Sequence, residues 1–180
     1  MHFAPADPSE LPAIAALVNS AYRGESSRQG WTTEADYLGG QRTDAQTLAS
    51  DLAANPQAMV MTLREAAGAP LLGCVWLEPA DAGAWYLGML TVRPDLQDRQ
   101  LGRTMLAAAE DHARGQGAQR VRMTVIQIRD TLIAWYERRG YARTGIHKPF
   151  PYGDERFGIP LREDLRFEVL HKELGAGADA

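Results

Sequence analysis

One turn of this chain, Gln97-Asp98-Arg99-Gln100-Leu101-Gly102-Arg103, concentrates the groups best suited to hold an anion. It follows an apolar run at residues 87–92 that Pro94 halts. It leads into a segment in which Leu101, Met105, Ala108, Ala109 and His112 recur at helical spacing. The first N–H groups of a helix have no partner within it. They point outward together, and the helix dipole adds partial positive charge. A phosphate placed there satisfies several donors at once. Arg99 and Arg103 add full charges, and Gly102 lets an anion approach the main chain. The same residues also fit a solvated turn between a strand and a capped helix.

The elements around this turn read as follows. Asp7, Pro8 and Glu10 form a capping signature, and Leu11, Ile14, Ala15, Val18 and Tyr22 then repeat at helical spacing up to Gly24. A short helix is predicted over residues 32–38. A further helix is opened by Thr43 with Gln46 and stops before Asn55-Pro56. Runs at 58–63 and 71–77, separated by Gly68-Ala69-Pro70, predict a hairpin, and residues 84–92 a third strand. The helix over 101–114 is closed by Gly115 and Gly117. Residues 120–126 alternate, with Val121, Met123 and Val125 on one face and Arg120, Arg122 and Thr124 on the other. A helix over 129–139 ends at Gly140, and strands are predicted over 141–146 and 165–170, with a turn-rich aromatic loop from Pro149 to Asp154 between them. The predicted order is two helices, three strands, helix, strand, helix and two strands. That is one α/β (α+β) domain over 1–174, a mixed central sheet flanked by helices, with a frayed tail over 175–180.

Composition sets the outer limits. Apolar residues make up 45% and charged residues 23%, so a folded globular chain is expected. The net charge of −4 argues against a broad nucleic-acid surface. The apolar runs are too short for a membrane span, and no secretory signal is expected. Cys74 is the one cysteine, which excludes an internal disulfide and points to a reducing, cytoplasmic setting. The four histidines lack ligand spacing, so no metal site is expected. There is no Gly-x-Ser-x-Gly elbow and no Gly-Lys-Ser/Thr phosphate loop.

A second motif follows in Leu132-Ile133-Ala134-Trp135-Tyr136-Glu137-Arg138-Arg139-Gly140-Tyr141. With it, the chain resembles the GNAT N-acetyltransferase superfamily. Val92-Arg93-Pro94 followed by Gln97 to Gly102 is similar to that family's acetyl-CoA motif. Tyr136 before Gly140-Tyr141 matches its later tyrosine, and the helix carrying Asn19 to Arg23 looks like its opening helix. The resemblance spans about residues 3 to 173. Gln100 departs from the pattern, standing where the family has its first glycine; were φ positive there, Gln would cost about 1–2 kcal/mol. Asp98 also replaces a frequent glycine, so its carboxylate must point away from phosphate. Arg129 stands where an asparagine is common, and no cofactor contact is carried to that helix.

The resemblance implies direct acetyl transfer from acetyl-CoA to a primary amine of a small molecule, peptide or protein. Tyr136 would be the general acid to the departing thiolate. Read from periodicity alone, it is a core residue beside Leu132 and Ile133. Leu90, Thr91 and Val92 would pair their main chain with the pantetheine arm. Gln97, Asp98, Arg99, Gln100, Leu101, Gly102 and Arg103 would hold the diphosphate. Glu78 is the candidate base, with Glu34, His147 or a water chain as alternatives. Trp31, Glu34, Phe150 and Tyr152 are expected at the acceptor pocket, with Tyr37, Phe157 and Asp154 nearby, the carboxylates attracting a cationic amine. A homodimer through a C-terminal edge strand would be compatible. The departures at Gln100 and Arg129 leave open a non-catalytic acyl-CoA sensor.

Overall fold

The computed structural model describes residues 1–175, with the side chains of Gln97 and Asp98 outside the description. The expected tail beyond Gly175 lies outside the described residues. In chain order the elements are β1 (His2–Pro5), α1 (Leu11–Tyr22), α2 (Gly24–Ser27), β2 (Leu38–Gly39), α3 (Ala45–Ala54), β3 (Met59–Arg64), β4 (Gly73–Pro79) and β5 (Ala84–Val92). They continue as α4 (Leu101–Gly115), β6 (Arg120–Ile126), α5 (Asp130–Glu137), β7 (Ala142–Pro149), β8 (Ile159–Pro160) and β9 (Arg166–Glu173).

Seven strands form one sheet in the order β1-β3-β4-β5-β6-β9-β7. All neighbours are antiparallel except β5 and β6. This is the expected mixed α/β sheet. One face carries α4 and α5. Leu101, Met105, Leu106, Ile133 and Tyr136 pack there against Val75, Leu77, Leu87, Val121 and Met123. The other face is covered over β3 and β4 by α1, through Ile14, Val18 and Ala21 against Val60 and Cys74. Removing such side chains from water is the main driving term, about 25 cal/mol per Å². Helix α1 also meets β5, where Tyr22 bonds to Leu90 C=O, and the site lies beside it along β5 and β6.

Local chemistry explains the well-read boundaries. Asp7 Oδ1 accepts from Ser9 N at 2.9 Å and Glu10 Oε2 from Asp7 N at 2.8 Å, so the capping box forms, around a single 3₁₀ turn before α1. Four expectations are corrected. The edge strand β1 was not predicted; it is four residues long and ends in Pro5, too short for alternation to register. Residues 32–38 form turns, because Glu34 N–H bonds back to Tyr22 C=O at 2.9 Å and Gly39 then pairs with Ile159. That pairing forms the unpredicted two-stranded β2–β8 ribbon. Finally, α3 is capped by Asp44, which accepts from Thr47 N at 2.7 Å, and not by Thr43. Thr43 instead is buried, with its main chain held by Asn19.

Candidate active site

The site opens where two strands part. β5 and β6 pair only from Ala84–Arg120 to Tyr86–Arg122. Beyond that point they diverge, and a cavity of about 560 Å³ lies along residues 87–90 of β5 and 123–126 of β6. A bulge helps to bend β5 away. The β4–β5 register shifts between Cys74 and Trp76, and Met89 adopts φ of 53°. Two hydroxyls hold this irregular main chain. Tyr22 donates to Leu90 C=O at 2.9 Å, and Thr91 donates to Met89 C=O at 2.9 Å. Burial, with the nearby Glu34 carboxylate second, pushes the Tyr22 phenol up to about 12, so it stays a donor.

At the end of β5 the chain turns through a 3₁₀ segment, Pro94–Arg99, into α4. Gln100 sits in the left-handed region at φ 59°, ψ 11°, with its side chain exposed. Its carbonyl accepts from Thr104 N at 3.0 Å, so the preceding N–H groups lie ahead of the helical ladder. Leu101 and Gly102 are buried, and Arg99 and Arg103 are exposed. Leu90 lines the cavity; Thr91 and Val92 are buried further along the strand.

Tyr136 lines the same cavity from α5. Only 5% of it is exposed, and its ring meets Trp135 and Tyr141 edge-on at 5.0 and 5.5 Å. It is therefore core and cavity wall at once. Its hydroxyl has no hydrogen bond among the described residues, and burial raises its pKa above the ordinary phenol value.

Glu78 also lines the cavity, half-buried at the end of β4. Its Oε2 accepts from Asn55 Nδ2 at 2.8 Å and Trp76 Nε1 at 3.1 Å, and Oε1 has no partner among the described residues. Across the strand pair stands Tyr86, whose hydroxyl lies 3.2 Å from Thr124 Oγ1. The Tyr86 ring crosses Gly88, where an added Cβ would sit 2.8 Å from it.

The expected acceptor residues separate. Phe150 and Phe157 reach the cavity, but Tyr152 does not line it. The Tyr152 hydroxyl instead donates to Arg162 C=O at 3.0 Å and accepts from Leu165 N at 2.7 Å, which orders the aromatic loop. Trp31 stacks on Trp135 at 5.1 Å, beside Gly102 and the start of α4. Glu34 lines the cavity but is enclosed between two arginines, at 2.5 Å from Arg23 and 3.3 Å from Arg129, all three buried. It therefore has no charge to offer a cationic amine. Asp154 is paired with Arg156 at 2.5 Å, and His147 is exposed on β7, outside the cavity wall. Arg129, the departure at the start of α5, also donates to Trp31 C=O at 3.4 Å, tying the 23–42 loop to the helix of Tyr136.

Sequence reasoning missed Arg42, Tyr86 and Lys148 on the cavity wall, and gave Arg122 only as the polar face of a strand. Among the described residues no cluster of His, Cys, Asp or Glu could hold a metal ion. No described helix is long and apolar enough to cross a membrane.

A sequence search of the curated proteins gives no match. Solved structures share the fold. The ribosomal-protein-S18-alanine N-acetyltransferase of Escherichia coli aligns with TM-score 0.68 at 16% identity, over 99% of this chain and 97% of its own. The ribosomal-protein-alanine N-acetyltransferase of Brucella melitensis aligns with TM-score 0.66 at 18% identity, over 96% and 99%. The IAA acetyltransferase of Bacillus cereus aligns with TM-score 0.64 at 14% identity, over 96% and 98%. A family model described as the acetyltransferase (GNAT) family matches residues 14–141, a stretch that holds the parted strands, the α4 turn and Tyr136. The chain belongs to the GNAT acetyltransferase family.

Proposed function

We propose that the protein transfers the acetyl group of acetyl-CoA directly to the nitrogen of a primary amine. One observation carries the reading: Tyr136, whose hydroxyl has no hydrogen-bond partner among the described residues, lines the cleft that opens between β5 and β6. The pantetheine arm would lie along the β5 edge at Leu90, Thr91 and Val92, as an added strand does. The diphosphate would sit on the main chain from Gln97 to Arg103, with Arg99 and Arg103 supplying charge. Gln100 itself is exposed at that corner.

The neutral amine attacks the thioester carbonyl, the C–N bond forms and the C–S bond breaks. Main-chain N–H groups near the Met89 bulge would stabilise the oxyanion. Tyr136 gives its proton to the departing sulfur, and the proton lost by the nitrogen restores the balance. Glu78 would take that proton on its free Oε1, directly or through water, since its other oxygen is already fixed by Asn55 and Trp76. Phe150 and Phe157 would wall the acceptor.

Tyr136→Phe tests the acid. A thiol-release assay over an amine panel should show kcat reduced roughly 100-fold, with acetyl-CoA affinity kept within about threefold. An unchanged kcat would remove Tyr136 from the mechanism. Binding of acetyl-CoA without turnover of any amine would remove the enzymatic reading.

A further inference from the structure

We infer that the acceptor is a primary amine that also carries a carboxylate, recognised by an unneutralised cationic wall of the cleft. This rests on the amine-acetylating reading and narrows its substrate class. The protein is acidic overall, with net charge −4. Its cleft has the opposite sign. Arg23, Arg42, Arg122, Arg129 and Lys148 line it, against Glu34, Glu78 and Asp81. That leaves +2 among the described lining residues.

The distribution matters more than the count. Glu34 is shared between Arg23 and Arg129, so this buried triad keeps one positive charge, and Arg23 Nε has no hydrogen-bond partner among the described residues. Arg42, Arg122 and Lys148 form no ion pair and no side-chain hydrogen bond among the described residues. Most arginines elsewhere on the surface are matched: Arg28 with Asp36, Arg93 with Asp95, Arg156 with Asp154 and Arg162 with Asp164. Arg42 is also held in place. Asn19 Oδ1 accepts from its main-chain N–H at 2.6 Å, and its guanidinium lies 5.9 Å from the Tyr22 ring centre.

These cations are not where the coenzyme phosphates would go. The diphosphate corner is at the α4 turn with Arg99 and Arg103, and neither lines the cleft. Arg42 comes from the segment before α3, Arg122 from β6 and Lys148 from β7. Guanidinium groups favour compact planar anions, because their donors match a carboxylate two at a time. A positive cleft also disfavours an ammonium ion, which lowers the pKa of the bound amine and raises its reactive neutral fraction. The carboxylate of the same molecule offsets the repulsion that a polyamine would meet.

The test pairs L-amino acids with their α-carboxamides and adds spermidine. It is run as acetyl-CoA turnover and, separately, as calorimetric binding of N-acetyl-amino acids against N-acetyl-amino-acid amides. A carboxylate should be preferred over its amide by roughly 10- to 100-fold in kcat/KM and in product affinity. Arg42→Gln and, independently, Arg122→Gln should shrink that ratio, with acetyl-CoA affinity unchanged. Equal binding of acid and amide, preference for spermidine, or no binding of either product overturns the inference. So does an Arg42→Gln effect on acetyl-CoA alone. Preferential binding of the acids without turnover would uphold the anion site and defeat the enzymatic reading.

Discussion

Replacing Gln100 by glycine should stabilise the protein. Gln100 holds φ of 59° immediately before α4, and its side chain is exposed. A side chain in that conformation costs about 1–2 kcal/mol, because its Cβ crowds the following carbonyl. Glycine removes this cost but loses about 0.5–1 kcal/mol through its greater freedom in the unfolded chain. The net gain lies between about 0 and about 1.5 kcal/mol, centred on about 0.8 kcal/mol. For a chain of this size, that central value raises Tm by roughly 1–4 °C. Scanning calorimetry, with urea unfolding for the free energy, measures it. Gln100→Ala is the control, since alanine keeps the Cβ and the exposed Gln100 side chain has no hydrogen bond among the described residues. Glycine should raise Tm while alanine leaves it within about 1 °C. Equal shifts for the two variants, or a lower Tm for glycine, would refute a left-handed residue at this corner. The assignment of the turn as strained would fall with it.

Three further outcomes are expected. Glu34→Ala leaves Arg23 and Arg129 buried without their carboxylate, and chemical denaturation should show a loss of about 3–5 kcal/mol, with Glu34→Gln recovering part of it. Gly73→Ala places a Cβ 2.5 Å from Thr91 C=O and close to Met105, so β4 and β5 must shift; a loss of about 1–3 kcal/mol should appear in the same measurement. Burial pushes the Cys74 thiol from 9.0 up to about 12. The unfolded chain therefore loses this proton first, and stability falls as pH rises from about 9 towards 12. Cys74→Ala should flatten the stability–pH slope in that window, leaving the part owed to the phenols of Tyr22, Tyr37, Tyr136 and Tyr141, which burial likewise raises. An unchanged slope would show that the thiol is not buried.

The strand–turn–helix over Ala84–Gly115 and the helix of Tyr136 were legible from residue types and their spacing. These are local events, set by a strand-forming run, by Pro94 and by apolar residues repeating at 3.6. They placed the turn before α4 and Tyr136 on the elements where the fold has them. The capping box at Asp7 was legible for the same reason: its donors and acceptors lie three residues apart. The 32–38 segment was misread because what shapes it is distant: the turn hangs on Tyr22 and on a ribbon to Ile159. Periodicity marked Tyr136 as core and the family pattern marked it as functional. The fold makes it core and cavity wall at once, because α5 packs beside the point where β5 and β6 part. The bulge at Met89 and the charge of the cleft depend instead on contacts between distant segments. Glu34 looked like a lure for cations until the fold brought Arg23 and Arg129 to it from opposite sides. Arg42, Arg122 and Lys148 line one cleft although they are far apart in the chain. Charge in a cleft depends on which partners come within a few ångströms, and no spacing along a sequence carries that distance.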